Sequence, residues 1–206
     1  RQLLNRDLTK MGSLCEEALA LAAKALANAD GQTAAKIAPI DSEIDQMERT
    51  IESLCLKLLL QQQPVARDLR QISAALKMIT DMERIGDQAS DIAEIIGFLN
   101  GRIGTDAQYI CQMAVAAMRM VTESVEAYVK RDVAMAEATI QHDDVVDDLF
   151  LKVKESLIQM ISENPKDGEY ALDLLMIAKY FERIGDHATN IAEWVVFSVT
   201  GVHEQG

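Results

Sequence analysis

Apolar residues recur along this chain at intervals of three and four, the spacing that lines one face of an α-helix. The clearest run is Ile37, Ile40, Ile44, Met47, Ile51, Leu54 and Leu58, an a/d-type seam. Another passes through Leu69, Ile72, Leu76, Ile79, Ile85, Ile92 and Ile96. Turn-forming residues interrupt the pattern at Asp30-Gly31, Gln63-Pro64, Asn100 to Gly104, Lys130-Arg131-Asp132 and Asn164 to Gly168. These breaks delimit six long segments, all predicted to be helical. Pro39 falls inside the second, where its missing N–H and its ring predict a kink or the true start of that helix. Trp194–Val199 is the single stretch with a competing strand reading, and it continues a long helical pattern.

The pattern repeats at a larger scale. Glu83-Arg84-Ile85-Gly86-Asp87 returns unchanged as Glu182-Arg183-Ile184-Gly185-Asp186. The match continues through Ala89 with Ala188, Asp91 with Asn190, and Ile92-Ala93-Glu94 with Ile191-Ala192-Glu193. Upstream, Asp41-Ser42-Glu43-Ile44-Asp45 resembles Asp143-Asp144-Val145-Val146-Asp147 as Asp-x-x-aliphatic-Asp. The order of these elements is the same in each half. The expectation is an all-α chain of two tandem, sequence-related three-helix bundles, residues 1–102 and 103–206.

Composition narrows the function. Of 206 residues, 49% are apolar, enough for a real core, and only 4% are aromatic, which favours aliphatic helix packing over a β-sandwich. Lys and Arg total 20 against 33 Asp and Glu, a formal charge of −13. Such a chain is poorly suited to nucleic acid and is repelled by anionic lipid. Cys15, Cys55 and Cys111 are odd in number and widely spaced, which excludes a disulfide framework and a CxxC zinc site and points to a reducing compartment. No apolar run approaches the ~18 residues of a membrane span, and no signal-peptide pattern is present. The chain begins at Arg1 rather than Met, so a missing natural N-terminus is expected.

The repeated segments carry paired carboxylates four residues apart on one helix face: Asp41/Asp45, Glu83/Asp87, Asp143/Asp147 and Glu182/Asp186. Like charges so placed destabilise a helix by roughly 0.2–0.5 kcal/mol per pair. Arg49, Arg84 and Arg183 are local counter-cations for three pairs, but no Lys or Arg stands three or four residues from Asp143 or Asp147 on their helix. Hairpin geometry adds a constraint. Asp45 lies 18 residues before Gln63 and Glu83 lies 20 after it; Asp41 lies 22 before and Asp87 24 after. About Pro165, Asp147 and Glu182 lie 18 and 17 residues away, and Asp143 and Asp186 lie 22 and 21 away. With equal rise along both helices the pairs share a height in each hairpin, and four carboxylates cluster if the faces turn toward each other. Such a cluster either raises its own pKa values or takes a cation. Oxygen donors suit Fe, Mn, Mg or Ca, with Zn admissible. The Glu-x-x-His motif of ferritin-type di-iron bundles is absent, because Gly185 lies three residues after Glu182.

Other features have plainer readings beside the chemical one. His142 and His187 each adjoin a candidate ligand, yet a lone histidine is more often a surface or packing residue. Gly86 and Gly185 lie mid-helix at a cost of ~1 kcal/mol against Ala. Their repetition points to close helix packing or to a backbone, side chain or metal site brought near. The cysteines read as small buried hydrophobes and the 10 methionines as core filler.

Taken together, the two Glu-Arg-Ile-Gly-Asp motifs, the preceding Asp-x-x-aliphatic-Asp elements and the segment Gln63-Pro64-Val65-Ala66-Arg67-Asp68-Leu69-Arg70 resemble the PhoU family. These are accessory and regulatory proteins of bacterial phosphate-specific transport, and the resemblance covers essentially the whole chain. It implies two similar three-helix bundles and multinuclear clusters of metal, with iron and zinc among those found and Mn or Mg admissible. By matching position the ligands would be Asp41, Asp45, Glu83 and Asp87 in one half and Asp143, Asp147, Glu182 and Asp186 in the other. Asp91 and Asn190 extend the motif by a turn, and the change to Asn alters the charge of the second site. The resemblance further implies a cytoplasmic, commonly dimeric negative regulator of the phosphate-starvation response that is not an enzyme. It would couple the phosphate ABC transporter, through its ATPase subunit, to a sensor histidine kinase, reaching the membrane only through these partners. Two other classes stay open on the residues alone: a metal-handling or metal-dependent enzyme on a bundle scaffold, and a metal-free helical adaptor. A carboxylate-bound metal would also give this acidic chain a positive centre for phosphate.

Overall fold

The computed structural model describes residues 2–61, 63–99, 101–102 and 107–204. Eight α-helices follow one another, and no strand occurs among the described residues. They are α1 (Gln2–Asn28), α2 (Gly31–Ala34), α3 (Ile37–Gln61), α4 (Ala66–Phe98), α5 (Gln108–Lys130), α6 (Val133–Gln141), α7 (Asp143–Glu163) and α8 (Gly168–Thr200). Six are long, as the periodicity predicts: α1, α3 and α4 in one half, α5, α7 and α8 in the other. The boundary expected between residues 102 and 103 falls at the edge of the described set, and Asn100, Ile103 and Gly104 of that break lie outside it.

The second and fifth segments are each divided, which periodicity alone does not reveal. Short helix α2 precedes α3, and α6 precedes α7. Pro39 stands in the first turn of α3 and marks its start rather than kinking it. The divided elements begin alike in both halves. Ala29 and Arg131 take left-handed φ values of 48° and 56°, ending α1 and α5. The next residue is an aspartate whose carboxylate caps the following helix. Asp30 accepts from Gln32 N at 3.0 Å, and Asp132 accepts from Met135 N at 3.0 Å. The structural repeat thus extends to turns whose sequences share only this aspartate.

One continuous core joins the halves. Helix α4 packs along α8 and α1 along α5, so the two motif-bearing helices lie against each other at the centre. Small residues allow this approach: Ala74, Ala75 and Ala89 on α4 and Ala178, Ala188 and Ala192 on α8 are all fully buried. On the other flank of these helices, α3 covers α4 and α7 covers α8. Ile44 and Val146, the aliphatic centres of the Asp-x-x-aliphatic-Asp elements, are completely buried there. Burying each contributes about 1.5–3 kcal/mol and fixes which way the flanking aspartates face.

Candidate metal centre

With Ile44 anchored in the core, Asp41 and Asp45 stand on either side of it, aimed along α3 toward α4. Gly86 on α4 opens the space they need. A Cβ at that position would lie 2.7 Å from Asp41 Oδ1 and 3.0 Å from Ile44 Cδ1. The second half repeats the device: a Cβ on Gly185 would lie 3.1 Å from Asp143 Oδ1 and 3.3 Å from Val146 Cγ1. The repeated glycine is therefore where an aspartate side chain approaches the neighbouring helix more closely than a methyl group would allow.

The facing that periodicity left open is realised. Asp41, Asp45 and Asp87 present one carboxylate oxygen each, all within 4.8 Å of one another, and Asp143, Asp147 and Asp186 do the same. The first trio is half-buried throughout; in the second, Asp143 is half-buried and the other two are exposed. Oδ1 of Asp41, of Asp45 and of Asp143 is inaccessible to solvent and has no hydrogen-bond partner. A buried carboxylate oxygen left in this state is costly, and a cation is the natural partner for several converging on one point. The donor set is all oxygen, which suits a hard or borderline cation.

Electrostatics carry the same signature. Burial, then the charges of Asp87 and Asp45, push the Asp41 carboxyl up to about 7. Burial and the adjacent Asp87 carboxyl push Glu83 up to about 8. In the second half, burial and then Asp147 and Asp186 push Asp143 up to about 7. Asp147 and Asp186 are also raised, by burial first and Glu182 next.

The remaining expected residues are placed around these trios. Glu83 and Glu182 lie outside them, although Glu83 adjoins Asp87 and Glu182 acts on Asp147 and Asp186. Asp91 is close enough to help raise Asp41 and is itself raised by burial and Asp87. Asn190 is directed elsewhere: its amide donates to Asp81 Oδ1 at 3.3 Å. The histidines bond groups outside the trios, His187 Nδ1 with Asp81 Oδ1 at 3.0 Å and His142 Nδ1 with Glu123 Oε2 at 3.3 Å, although the charge of His187 also acts on Asp186. Of the counter-cations expected from sequence, Arg49 donates to Gln46 at 2.8 Å. Two participants were not anticipated. Glu48, one turn beyond Asp45, is raised by burial and by Asp45. Lys179, three residues before Glu182, bonds that carboxylate at 2.9 Å. Comparing the two halves position by position, beyond the motifs themselves, would have exposed both.

A family model described as "PhoU domain" matches residues 8–96 and again residues 110–195. The chain belongs to the PhoU family. Both PhoU matches contain one complete set of paired carboxylates. The chain is 36% identical over 200 residues to "Phosphate-specific transport system accessory protein PhoU homolog" of Clostridium acetobutylicum, covering 96% of this chain and 91% of that one. It is 35% identical to the protein of the same name from Pseudomonas aeruginosa, with 94% and 81% covered. The crystal structure of PhoU from Pseudomonas aeruginosa superposes with a TM-score of 0.92 at 33% identity, covering 98% of this chain and 97% of that one. These PhoU relatives are named as accessory proteins of phosphate transport, not as enzymes. None of the described helices is long and apolar enough to cross a membrane.

Proposed function

We propose that this chain is a cytoplasmic regulator of phosphate uptake that restrains the phosphate-starvation response. In this reading it couples the phosphate ABC transporter, through the transporter's ATPase subunit, to a sensor histidine kinase. It acts as a homodimer and by association rather than by catalysis. Its repeats, residues 1–102 and 103–206, each carry a metal site. Support for the transport role comes from family membership and from relatives named as accessory proteins of phosphate-specific transport. Support for the metal comes from the two aspartate trios with their unpartnered buried oxygens.

Asp41, Asp45 and Asp87 would hold metal in the first site and Asp143, Asp147 and Asp186 in the second, with Glu83, Asp91 and Glu182 at the margins. Fe or Zn is the metal the family resemblance implies, and Mn or Mg is compatible with the oxygen donors. A bound divalent cation would supply the positive centre for phosphate that the net charge of −13 otherwise denies. The single observation that carries the metal reading is the convergence of three carboxylates on one point in both halves, each beside a glycine that makes room for one of them.

The test is elemental analysis of protein purified without a metal-affinity column. Near-stoichiometric metal is expected in the unaltered chain and its loss in a variant with Glu83, Asp87, Glu182 and Asp186 changed to Ala. Absence of metal in both, after reconstitution with iron, manganese and zinc, refutes the metal reading. The regulatory reading is checked separately, by replacing the chromosomal gene with that variant and measuring a phosphate-starvation reporter in phosphate-rich medium. Derepression is expected, and an unchanged reporter in a full deletion would overturn it.

A further inference from the structure

The two carboxylate clusters are built on the same scaffold but do not carry the same charge. Asp41 corresponds to Asp143 and Glu83 to Glu182, so Glu48 corresponds to Phe150 and Thr80 to Lys179. The first cluster therefore has a carboxylate where the second has an aromatic ring, while the second has the exposed Asp144 and Asp148, which act on Asp143 and Asp147, where the first has Ser42 and Gln46. The first also has a neutral hydroxyl where the second has an ammonium group.

The second cluster uses that ammonium group. Lys179 Nζ lies 2.9 Å from Glu182 Oε2 and 5.5 Å from the centre of the Phe150 ring. Its position is thus set by an ion pair and a cation–π contact on two different helices. Its charge also acts favourably on Asp147 and Asp186, two members of the aspartate trio. Among the described residues no comparable ammonium is bonded to the first trio, and the charge of Arg49 offsets Glu48 at its margin. The neighbours that bear on Asp41 are Asp87, Asp45 and Asp91, and those that bear on Glu83 are Asp87, Glu48 and Asp45. Arg49 is turned to Gln46, and Thr80 bonds back to Leu76 O. Arg183 offsets Asp91 at the margin and lies 5.6 Å from the Tyr180 ring.

We propose that Lys179 is the resident counter-cation of the second cluster. A divalent metal then fills the first cluster at lower concentration and enters the second only by displacing the ammonium group from Glu182. The two halves would load in order, and the second would respond to metal over a higher concentration range. This inference rests on reading both clusters as metal sites. Phe150 completes the device, because it gives the displaced lysine an alternative partner near the cluster and brings no carboxylate of its own to the metal.

The experiment titrates the chelator-stripped full chain with Zn²⁺ by calorimetry. Asp41→Asn with Asp87→Asn disables the first cluster, and Asp143→Asn with Asp186→Asn disables the second. The chain retaining only the first cluster is expected to bind Zn²⁺ more tightly than the chain retaining only the second. Adding Lys179→Met to the latter should tighten its binding by about fivefold, the upper worth of a solvent-accessible ion pair. Lys179→Arg, which keeps the charge, should leave it where it was. Thermal melting gives a readout independent of metal affinity. Without metal, Lys179→Met should melt below its parent, because its carboxylates lose their cation, and Zn²⁺ should close the gap. Unchanged or weaker Zn²⁺ binding in Lys179→Met, or tighter binding by the second cluster than the first, overturns the counter-cation. Failure of the unaltered chain and every variant to bind Zn²⁺, Fe²⁺ or Mn²⁺ overturns the metal reading itself and this inference with it.

Discussion

Gly86 and Gly185 hold the same place in the two repeats, yet a methyl group should behave differently at each. Replacing a mid-helix glycine by alanine ordinarily gains about 1 kcal/mol from helix propensity. At Gly86 the new Cβ would meet Asp41 Oδ1 at 2.7 Å and Ile44 Cδ1 at 3.0 Å. Ile44 is wholly buried and can yield only by repacking its neighbours, and the Asp41 carboxylate must shift as well. Overpacking of this kind costs about 1–3 kcal/mol, and a value of about 2 leaves Gly86→Ala less stable by about 1 kcal/mol. For a chain of this size that lowers the melting temperature by about 2–4 °C. At Gly185 the closest approaches are 3.1 and 3.3 Å, so a few tenths of an ångström of give suffices and the helix gain offsets the cost. Gly185→Ala should therefore be close to neutral. Urea and thermal melts of both variants without metal, followed by helical circular dichroism, measure the difference. Stabilisation of Gly86→Ala by the full propensity gain, or identical behaviour of the two variants, would refute the close-approach argument.

Two further outcomes follow from the electrostatics and the caps. Asp41 and Asp143 titrate near 7 and Glu83 near 8 in the folded chain, well above the roughly 4 of unfolded carboxyls. The native state thus holds more protons than the unfolded state between those limits, so these groups' contribution to stability falls as pH rises from about 4 to about 8. Metal-free protein should be less stable at pH 8 than at pH 5, by on the order of 1 kcal/mol after solvent screening, and should melt at a lower temperature there. Saturating divalent cation should remove that trend, and equal melting temperatures without metal would contradict the clustering. Asp132→Ala removes the acceptor for Met135 N, held at 3.0 Å, and should cost about 1 kcal/mol in chemical denaturation. An unchanged midpoint would mean that water replaces the cap without penalty.

Much of the site was legible before any coordinates. The Glu-Arg-Ile-Gly-Asp duplication identifies the paired halves, and equal counting from Gln63 and Pro165 brings Asp41 level with Asp87 and Asp143 level with Asp186. That reasoning succeeds because helical rise is nearly constant, so residue number converts directly into height. It could not supply rotation about the helix axis. Rotation follows from which side of α3 is buried, and the wholly buried Ile44 settles it. The same uncertainty explains Asn190, which matches Asp91 in sequence but is bonded to Asp81 of the opposite half.

The alternation of apolar and polar positions was sufficient for helix type and for the six long helices, and identity between segments for the duplication, because these depend on local periodicity and on sequence matching. Turn chemistry escaped that reading. Ala29 and Arg131 adopt left-handed conformations that neither residue favours, and only the following capped helices make them tolerable. Charge balance at the clusters escaped it too. Along the chain Lys179 is merely a cation three residues from Glu182, and Phe150 merely an apolar residue on α7. Aligning the two halves pairs Glu48 with Phe150 and Thr80 with Lys179, but only packing α7 against α8 sets the ammonium between a carboxylate and a ring. Periodicity is a property of neighbours in sequence, whereas electrostatic environment is summed over neighbours in space, and the tertiary structure alone decides which those are.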